Sequence, residues 1–399
     1  MKNLKKNIAL LSAMALAGTM LAGCDTDKEN DTTTTAAPGG DTTTAAPGGE
    51  TTDAPVASDP VDAGEGKKLR IYAWNEEFKE RMDLIYGSSS ELDGVAIEWV
   101  ITPNEGNAYQ NKLDEDLEKQ AAASGDDLID MFLIEADYAL KYIDTDYTLD
   151  VYSLPGITAA DTADMYKYTQ DVVTDANGVL KGVSWQGCPG ALIYKRAIAK
   201  EVFGSDDQAT VQAKVADWDT FNATAAELKA AGYFAVSGYD DTFRVFSNNV
   251  SAPWVNADKK IVIDANIMNW VDQTKDFTDN GYNNKTSLWS DAWGAEMQPT
   301  GKVFAYFGPG WFIDFTMTEK GAVAGDWAVT EGPQGFNWGG TWITAAKGTD
   351  NAGLIAKIMK DCTMNKDNLV KITREKADFT NNKGAMDEIA ADASYQNDF

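Results

Sequence analysis

The chain has 399 residues, with 62 acidic and 34 basic side chains, and its formal net charge is -28 at pH 7. It contains no histidine, which excludes Ser-His-Asp catalysis, Cys-His catalysis and zinc sites built on histidine. The strong negative charge repels phosphate backbones, so we expect no nucleic-acid partner. Hydrophobic residues at 44% and aromatic residues at 11% are too abundant for a disordered acidic chain. The length allows two domains.

Residues 1–23 are typical of a secretory signal peptide. Lysines occupy three of the first six positions, and the mostly apolar run 8–16 is too short to span a membrane. The segment ends in Leu-Ala-Gly directly before Cys24, which resembles the bacterial lipobox. This resemblance implies that Cys24 is acylated and anchors the protein to the outside of the bacterial cell membrane. Ordinary cleavage after Gly23 is the alternative.

Residues 24–67 form a low-complexity segment of Thr, Ala, Pro and Gly. The sequence of residues 31–40 is repeated, with one threonine fewer, in residues 41–49. No aromatic residue precedes Tyr72, so this segment lacks the side chains that nucleate a core. It is predicted to be a tether, and a flexible coil of this length would average roughly 35 Å from end to end.

From Lys68 onward, short apolar runs alternate with amphipathic segments. Strands are predicted at 69–74, 95–101, 128–134 and 191–194, and helices at 196–203 and 353–364. Asn75 is placed to cap the helix that follows the first strand. Strands that alternate with helices predict an α/β fold whose parallel sheets are covered by helices.

Several tryptophans lie at turns and strand ends beside glycine or polar residues. They are Trp74, Trp185, Trp293, Trp311, Trp338 and Trp342. Ligands of open α/β sheets bind beyond the carboxyl ends of the strands. An indole covers the apolar face of a sugar ring, and nearby Asp, Glu and Asn bind its hydroxyls, so the pattern favours a carbohydrate cleft. A role in the core is the alternative for any one of them.

Two other features leave alternatives open. Sixty-two acidic residues provide many possible pairs for a glycoside hydrolase, although Glu76-Glu77 is explained by the first turn of a helix and Asp240-Asp241 by a solvated loop. Cys188 and Cys362 permit a disulfide outside the cytoplasm, and two buried free thiols are equally compatible with the sequence.

The order of segments from about Lys68 to Asn382 resembles the extracellular solute-binding proteins of carbohydrate ABC importers, the family that includes maltodextrin-binding proteins. The matching segments are 68–75 (opening strand and first ligand loop), 127–138 ("PDI" strand and loop), 182–195 (crossing to the second lobe), 218–221 (Trp-x-x-Phe helix start), 303–311 ("GPW" segment) and 338–342 with 351–364 (return to the first lobe). Three departures are an inserted Gly310, the missing "PDI" proline, and an end before the C-terminal helices that complete the family's second lobe. A truncated second lobe and a natural end in a frayed tail are the alternatives.

The resemblance implies a two-lobed, type II periplasmic-binding-protein fold, with a mostly parallel sheet in each lobe and hinge crossings between them. It predicts a first lobe of 68–187 and 332–382 and a second lobe of 188–331 and 383–399. It also implies a monomeric sugar-binding protein that serves ABC transporter permease subunits without catalysis, cofactor or metal. The predicted ligand-binding residues are Trp74, Asn75, Glu76, Asp137, Tyr138, Trp185, Trp311, Phe312, Trp338 and Trp342. A glycoside hydrolase and a surface adhesion lipoprotein are the alternatives.

Overall fold

The structure, a computed structural model, describes residues 58–395. The predicted signal peptide, Cys24 and most of the predicted tether lie outside the described residues. The strands are β1 (Lys68–Ala73), β2 (Glu91–Leu92), β3 (Val95–Ile101), β4 (Met131–Glu135), β5 (Pro189–Lys195), β6 (Val236–Gly238), β7 (Asn283–Thr286), β8 (Ala305–Gly308), β9 (Trp327–Thr330), β10 (Phe336–Asn337) and β11 (Thr341–Ala345). The α-helices are α1 (Glu77–Tyr86), α2 (Ala108–Leu117), α3 (Leu140–Ile143), α4 (Lys167–Asp171), α5 (Arg196–Phe203), α6 (Gln208–Lys214), α7 (Trp218–Ala230), α8 (Phe243–Asn248), α9 (Ala265–Asn280), α10 (Asp291–Ala295), α11 (Ala352–Met359), α12 (Lys366–Lys376) and α13 (Lys383–Ala391), and π-helical turns cover Phe312–Met317 and Lys360–Met364.

The first lobe is built on a five-stranded sheet in the order β11-β4-β1-β3-β2. β1 runs parallel to β3 and β4, while the edge strands β2 and β11 run antiparallel to their neighbours. Leu69, Ile71 and Phe132 are fully buried in this sheet, which explains why its strands read as apolar runs. The alternation of strands and helices in the sequence therefore correctly predicted the parallel core of this sheet, and β3 has the predicted bounds of 95–101.

The second lobe is built around β5. This strand pairs antiparallel with β8, β9 and β10, whereas β6 pairs parallel with β7 and Phe234 bridges in parallel to Val303. The sheet around β5 is therefore antiparallel and not mostly parallel as predicted, and among the described residues of this lobe parallel pairing is confined to β6 with β7 and to the Phe234–Val303 bridge. β5 leads the chain into the lobe and β10 leads it back, so those two strands must run in opposite directions.

Two crossings connect the lobes, at residues 185–188 and 338–340. They lie side by side, since the Trp338 amide donates to the Cys188 carbonyl over 3.2 Å. A third segment supports the first crossing, because the Gly187 amide donates to the Phe379 carbonyl over 2.8 Å and the Asn381 amide to the Trp185 carbonyl over 2.7 Å. These hydrogen bonds join the three segments that form the hinge between the two lobes.

The C-terminal helices belong to the first lobe. Ala385 and Met386 of α13 are buried in the same core as Leu369 and Ile372 of α12 and the strands of the first lobe. The predicted assignment of 383–399 to the second lobe is therefore wrong for α13. The apolar face of this helix is buried against α12, which precedes it directly in the chain. The first-lobe boundary predicted at residue 332 also moves, because β10 still pairs with β5.

Both described cysteines are buried free thiols. Cys188 lies in the first crossing, and Cys362 lies in the core of the first lobe. Of the two possibilities that the sequence left open, the structure therefore has the free thiols. Among residues 58–395, no helix is both long enough and apolar enough to span a bilayer.

Candidate functional site

A cavity of about 640 Å³ lies where the two lobes meet the hinge. Its volume is in the range of sites that bind small molecules. Its lining residues are Trp74, Asn75, Glu76, Glu77, Glu80, Arg81, Glu135, Gln186, Trp311, Phe315, Trp338, Gly339, Gly340, Thr341, Lys376, Ala377 and Asp378. Both lobes and both crossings contribute to this cleft, so any movement of the hinge changes its shape.

The first lobe contributes Trp74, Asn75 and Glu76, which follow β1 directly. The Asn75 side chain accepts a hydrogen bond from the Glu77 amide over 3.1 Å. The N-cap residue of α1 is Glu76, so Asn75 lies one residue before the predicted capping position and fixes the turn that leads into the helix. The Trp74 ring is half-buried and packs edge-on against Tyr109, with 5.4 Å between ring centroids. The end of β1 and the start of α1 therefore hold one indole at the cleft.

The second lobe contributes Trp311, and the second crossing contributes Trp338. Their ring centroids are 5.2 Å apart in an edge-on arrangement, and the Trp311 indole N–H donates to the Trp338 carbonyl over 3.0 Å. Gly339 has a φ of +74°, and a Cβ built on it would lie 3.4 Å from the Trp311 indole nitrogen. A glycine at this position therefore lets the crossing turn closely beneath the Trp311 ring.

A buried charge network forms another part of the cleft. The Arg81 guanidinium donates to Asp378 through Nε over 2.9 Å, and its Nη2 lies 2.8 Å from the same carboxylate. Its Nη2 also lies 3.4 Å from Glu77. Burial raises the pKa of Glu77 to about 7, with the Asp378 charge adding to the rise and Arg81 opposing it. Burial likewise raises the pKa of Asp378, again against the effect of Arg81.

Gln186 joins this network to the hinge. Its side-chain N–H donates to Glu77 over 2.7 Å, and its side-chain oxygen accepts from the Thr341 amide over 3.1 Å. The Gln186 side chain therefore links the first crossing with α1 and with the start of β11, directly after the second crossing, so the charge network is joined to the hinge.

Asp137 and Tyr138 lie beside the cleft but do not line the cavity. Asp137 forms a two-pronged ion pair across the lobes with Arg244 of α8, with N–O distances of 2.6 and 2.7 Å. The Arg244 guanidinium also lies 5.4 Å from the centre of the Trp338 ring. Tyr138 packs edge-on against Trp74 at 6.2 Å. In this structure Asp137 therefore forms a contact between the lobes, and Tyr138 supports an indole of the cleft.

Three predicted ligand-binding residues lie in the cores instead. Trp185 is fully buried and stacks on Phe78, with ring centroids 5.2 Å apart. Trp342 is buried, and its indole N–H donates to the Thr169 carbonyl over 2.8 Å. Phe312 is buried in the second lobe. None of the three lines the cavity, so the structure does not bring them together with Trp74 and Trp311 at the cleft. Each lies in a segment that predicted a position at the cleft, but its ring packs inside a lobe.

The charged part of the cleft is not predicted from the sequence. The first turn of a helix accounts for Glu77 in the sequence, and no motif indicates Arg81, Glu135 or Asp378. The i, i+4 spacing of Glu77 and Arg81 was the available signal, since it places them on one face of α1. Asp378 gave no such signal.

A smaller cavity of about 150 Å³ adjoins the cleft on the second-lobe side, where Trp338 lines both. Buried Asp241 accepts hydrogen bonds there from the Ser237 and Gly238 amides and from the Trp293 indole, over 2.7 to 2.8 Å. These bonds fix the loop between β6 and α8. Arg244 lies in α8, directly after this loop. The buried Asp241 carboxylate therefore has three hydrogen-bond donors from within the protein.

We expect Glu135 to make stability depend on pH. Burial raises its pKa from 4.5 to about 7, with Asp137 adding to the rise and Arg244 opposing it. Between these values the folded protein holds a proton that the unfolded chain has released, so the free energy of unfolding falls as pH rises. Glu135→Gln should remove up to ~1.4 kcal/mol per pH unit of this slope, measured by denaturant unfolding at several pH values. Glu77 and Asp378 titrate in the same direction, so the variant should keep a weaker slope of the same sign. Equal slopes in both proteins would contradict the prediction.

A two-lobed α/β fold with a hinge and an aromatic, charged cleft defines the class of solute-binding proteins. The sequence model of the family described as "Bacterial extracellular solute-binding protein" matches residues 73–398, and the chain belongs to that family. The predicted resemblance to extracellular solute-binding proteins is thereby confirmed, and the predicted two-lobed fold class is confirmed by solved structures. No curated protein sequence matches the chain significantly.

Solved structures share the fold at low sequence identity. A crystal structure of an extracellular solute-binding protein of family 1 has a TM-score of 0.66 at 19% identity, over 81% of each chain. The GacH receptor of Streptomyces glaucescens has a TM-score of 0.58 at 15% identity, over 82% of this chain and 84% of the other. An ABC transporter associated binding protein from B. animalis subsp. lactis Bl-04 has a TM-score of 0.55 at 18% identity, over 81% and 78%.

Proposed function

We propose that this protein captures an oligosaccharide in the cleft and delivers it to the permease subunits of an ABC importer. One observation carries the proposal, namely that half-buried Trp74 of the first lobe and Trp311 of the second line the same cavity as several carboxylates. Indoles from both lobes bury the apolar faces of sugar rings, while carboxylates accept hydrogen bonds from hydroxyls.

Two of the similar structures support the choice of ligand class. The protein from B. animalis subsp. lactis Bl-04 is described in complex with β-1,6-galactobiose, and the GacH receptor in complex with acarbose. At 18% and 15% identity these proteins support a carbohydrate in general and leave the particular sugar open. In our proposal, binding favours the closed arrangement of the lobes, which the transporter recognises.

Calorimetry against a panel of oligosaccharides tests the proposal. We expect saturable one-to-one binding of at least one sugar by the monomeric protein, and no binding of a short peptide or a polyamine. Binding of the peptide or polyamine alone would contradict the sugar assignment. Small-angle X-ray scattering should show compaction with the same sugar, whereas a surface adhesion protein would keep its dimensions.

A glycoside hydrolase is the second candidate, because Glu135 lines the cleft with a pKa of about 7, the value that a general acid needs. We propose binding without cleavage. The bound oligosaccharide should be recovered intact after long incubation, and shorter products that disappear in Glu135→Gln would establish the hydrolase instead.

The proposal places the protein outside the cell on an acylated Cys24. Metabolic labelling with a clickable fatty acid should mark the full chain, and Cys24→Ser should abolish the label and release the protein into the medium. Labelling that persists in Cys24→Ser would contradict the anchor.

A further inference from the structure

Trp289 lies outside the cavity but next to one of its walls. It belongs to the turn between β7 and α10, and its side chain is 49% exposed. Its ring lies 5.6 Å from that of Trp338, which lines the cleft, and 5.4 Å from that of buried Trp293. Trp311, Trp338 and Trp289 therefore form a continuous series of indoles in contact, from two rings that line the cleft to one that is half-exposed on the second lobe.

The turn itself does not require an indole. The Ser290 amide donates to the Ser287 carbonyl over 3.1 Å, and the Ser290 hydroxyl caps α10 by accepting from the Trp293 amide over 3.2 Å. Trp289 has a φ of +69°, a conformation that is unfavourable for a bulky side chain and that glycine or asparagine adopts with less strain. A residue chosen for the turn alone would therefore be smaller and more polar.

Packing does not require it either. Trp293 is already held within the second lobe, where its ring packs against Tyr306 and Phe312 and its indole N–H is bound by Asp241. Trp289 covers part of this aromatic cluster and leaves about half of its own apolar surface in water. Exposed aromatic surface that continues a binding cleft is a feature of ligand sites.

We propose that Trp289 is an outer sugar platform, and that the ligand is an oligosaccharide longer than a disaccharide, which extends past Trp338 to this indole. The inference rests on the proposed function and adds to it the length of the ligand. On this proposal a disaccharide binds within the cavity without contacting Trp289, whereas a longer chain such as a tetrasaccharide stacks one further ring on it.

The test compares the affinities of the wild-type protein and Trp289→Ala for matched pairs, maltose with maltotetraose and cellobiose with cellotetraose. In the series that binds, Trp289→Ala should weaken tetrasaccharide binding roughly tenfold and change disaccharide binding less than about twofold. Trp289→Phe retains a ring and should recover most of the loss. Trp254→Ala is the matched control, because Trp254 is 51% exposed on the same lobe and lines neither cavity; it should change neither affinity.

Equal losses for both lengths would show that Trp289 only supports Trp338, and would overturn the inference while leaving the proposed function intact. Unchanged affinities for both lengths would overturn it in the same way. A wild-type protein that binds no member of either series and no other oligosaccharide would contradict the proposed function itself.

Discussion

Replacing Trp311 by alanine is expected to weaken oligosaccharide binding by ~2–4 kcal/mol, which corresponds to roughly 30-fold to 1,000-fold in Kd. Trp311 is half-buried, lines the cleft from the second lobe and has its indole N–H fixed by the Trp338 carbonyl. Its ring is therefore preorganised, so little side-chain entropy is lost when a sugar stacks on it. Titration by calorimetry would measure the change.

Two controls separate this role from a loss of folding. Trp311→Phe keeps an aromatic face without the N–H, so we expect an affinity between those of the wild type and Trp311→Ala. The thermal midpoint of Trp311→Ala should change little, because the deeper aromatic core around Trp293 and Phe312 stays in place. A Kd within about threefold of the wild-type value would argue against a sugar stacked on this ring.

Replacing Arg81 by alanine is expected to lower the free energy of unfolding by ~3–5 kcal/mol, because it leaves buried carboxylates without a counter-charge. Arg81 and Asp378 are 7% and 5% exposed, and the arginine also lies beside Glu77. In the variant both carboxyls should take up protons more readily, so the deficit should shrink as pH falls below 7. Denaturant unfolding at pH 7.5 and pH 5 would measure both effects.

Lys376→Ala provides the matched control. Lys376 forms an ion pair of 2.8 Å with Glu80 at the same cleft, but both side chains are substantially exposed. Such surface pairs contribute ~0–1 kcal/mol, so this variant should unfold almost as the wild type does. Similar losses in Lys376→Ala and Arg81→Ala would contradict the assignment of the stabilisation to buried charge pairing.

The parts of the site that the sequence predicted are those whose local chemistry points to a strand end or a turn. Trp74 follows an apolar strand, and Asn75 is a turn-forming residue between that strand and the helix after it. Trp311 follows a Gly-Pro-Gly turn. In each case the local backbone brings the residue to the cleft, and such local patterns can be recognised in a single sequence.

The direction of a side chain was harder to predict. Phe312 adjoins Trp311 in the chain, but successive residues of a helical turn point to different faces, and its ring lies in the second-lobe core. Trp185 lies in the first crossing, where its ring is fully buried and stacks on Phe78 of α1. Proximity to a turn does not distinguish these orientations.

The charge network depends on contacts between distant parts of the chain. Arg81 and Asp378 are 297 positions apart, and Asp137 and Arg244 are 107 apart. Neither pairing has a local signature, and a chain with 62 acidic residues offers many equivalent partners for each arginine. The predicted lobe of α13 is wrong for the same reason. Its position depends on its contact with α12, which the sequence pattern of α13 itself does not indicate.

A crystal structure of the protein saturated with its tightest-binding oligosaccharide tests the central claim most directly. We predict that sugar rings lie against Trp74 and Trp311 within the cleft, with hydroxyls bonded to carboxylates of the lining such as Glu76 and Glu135. A sugar bound elsewhere on the surface, with the cleft filled by water, would contradict the account.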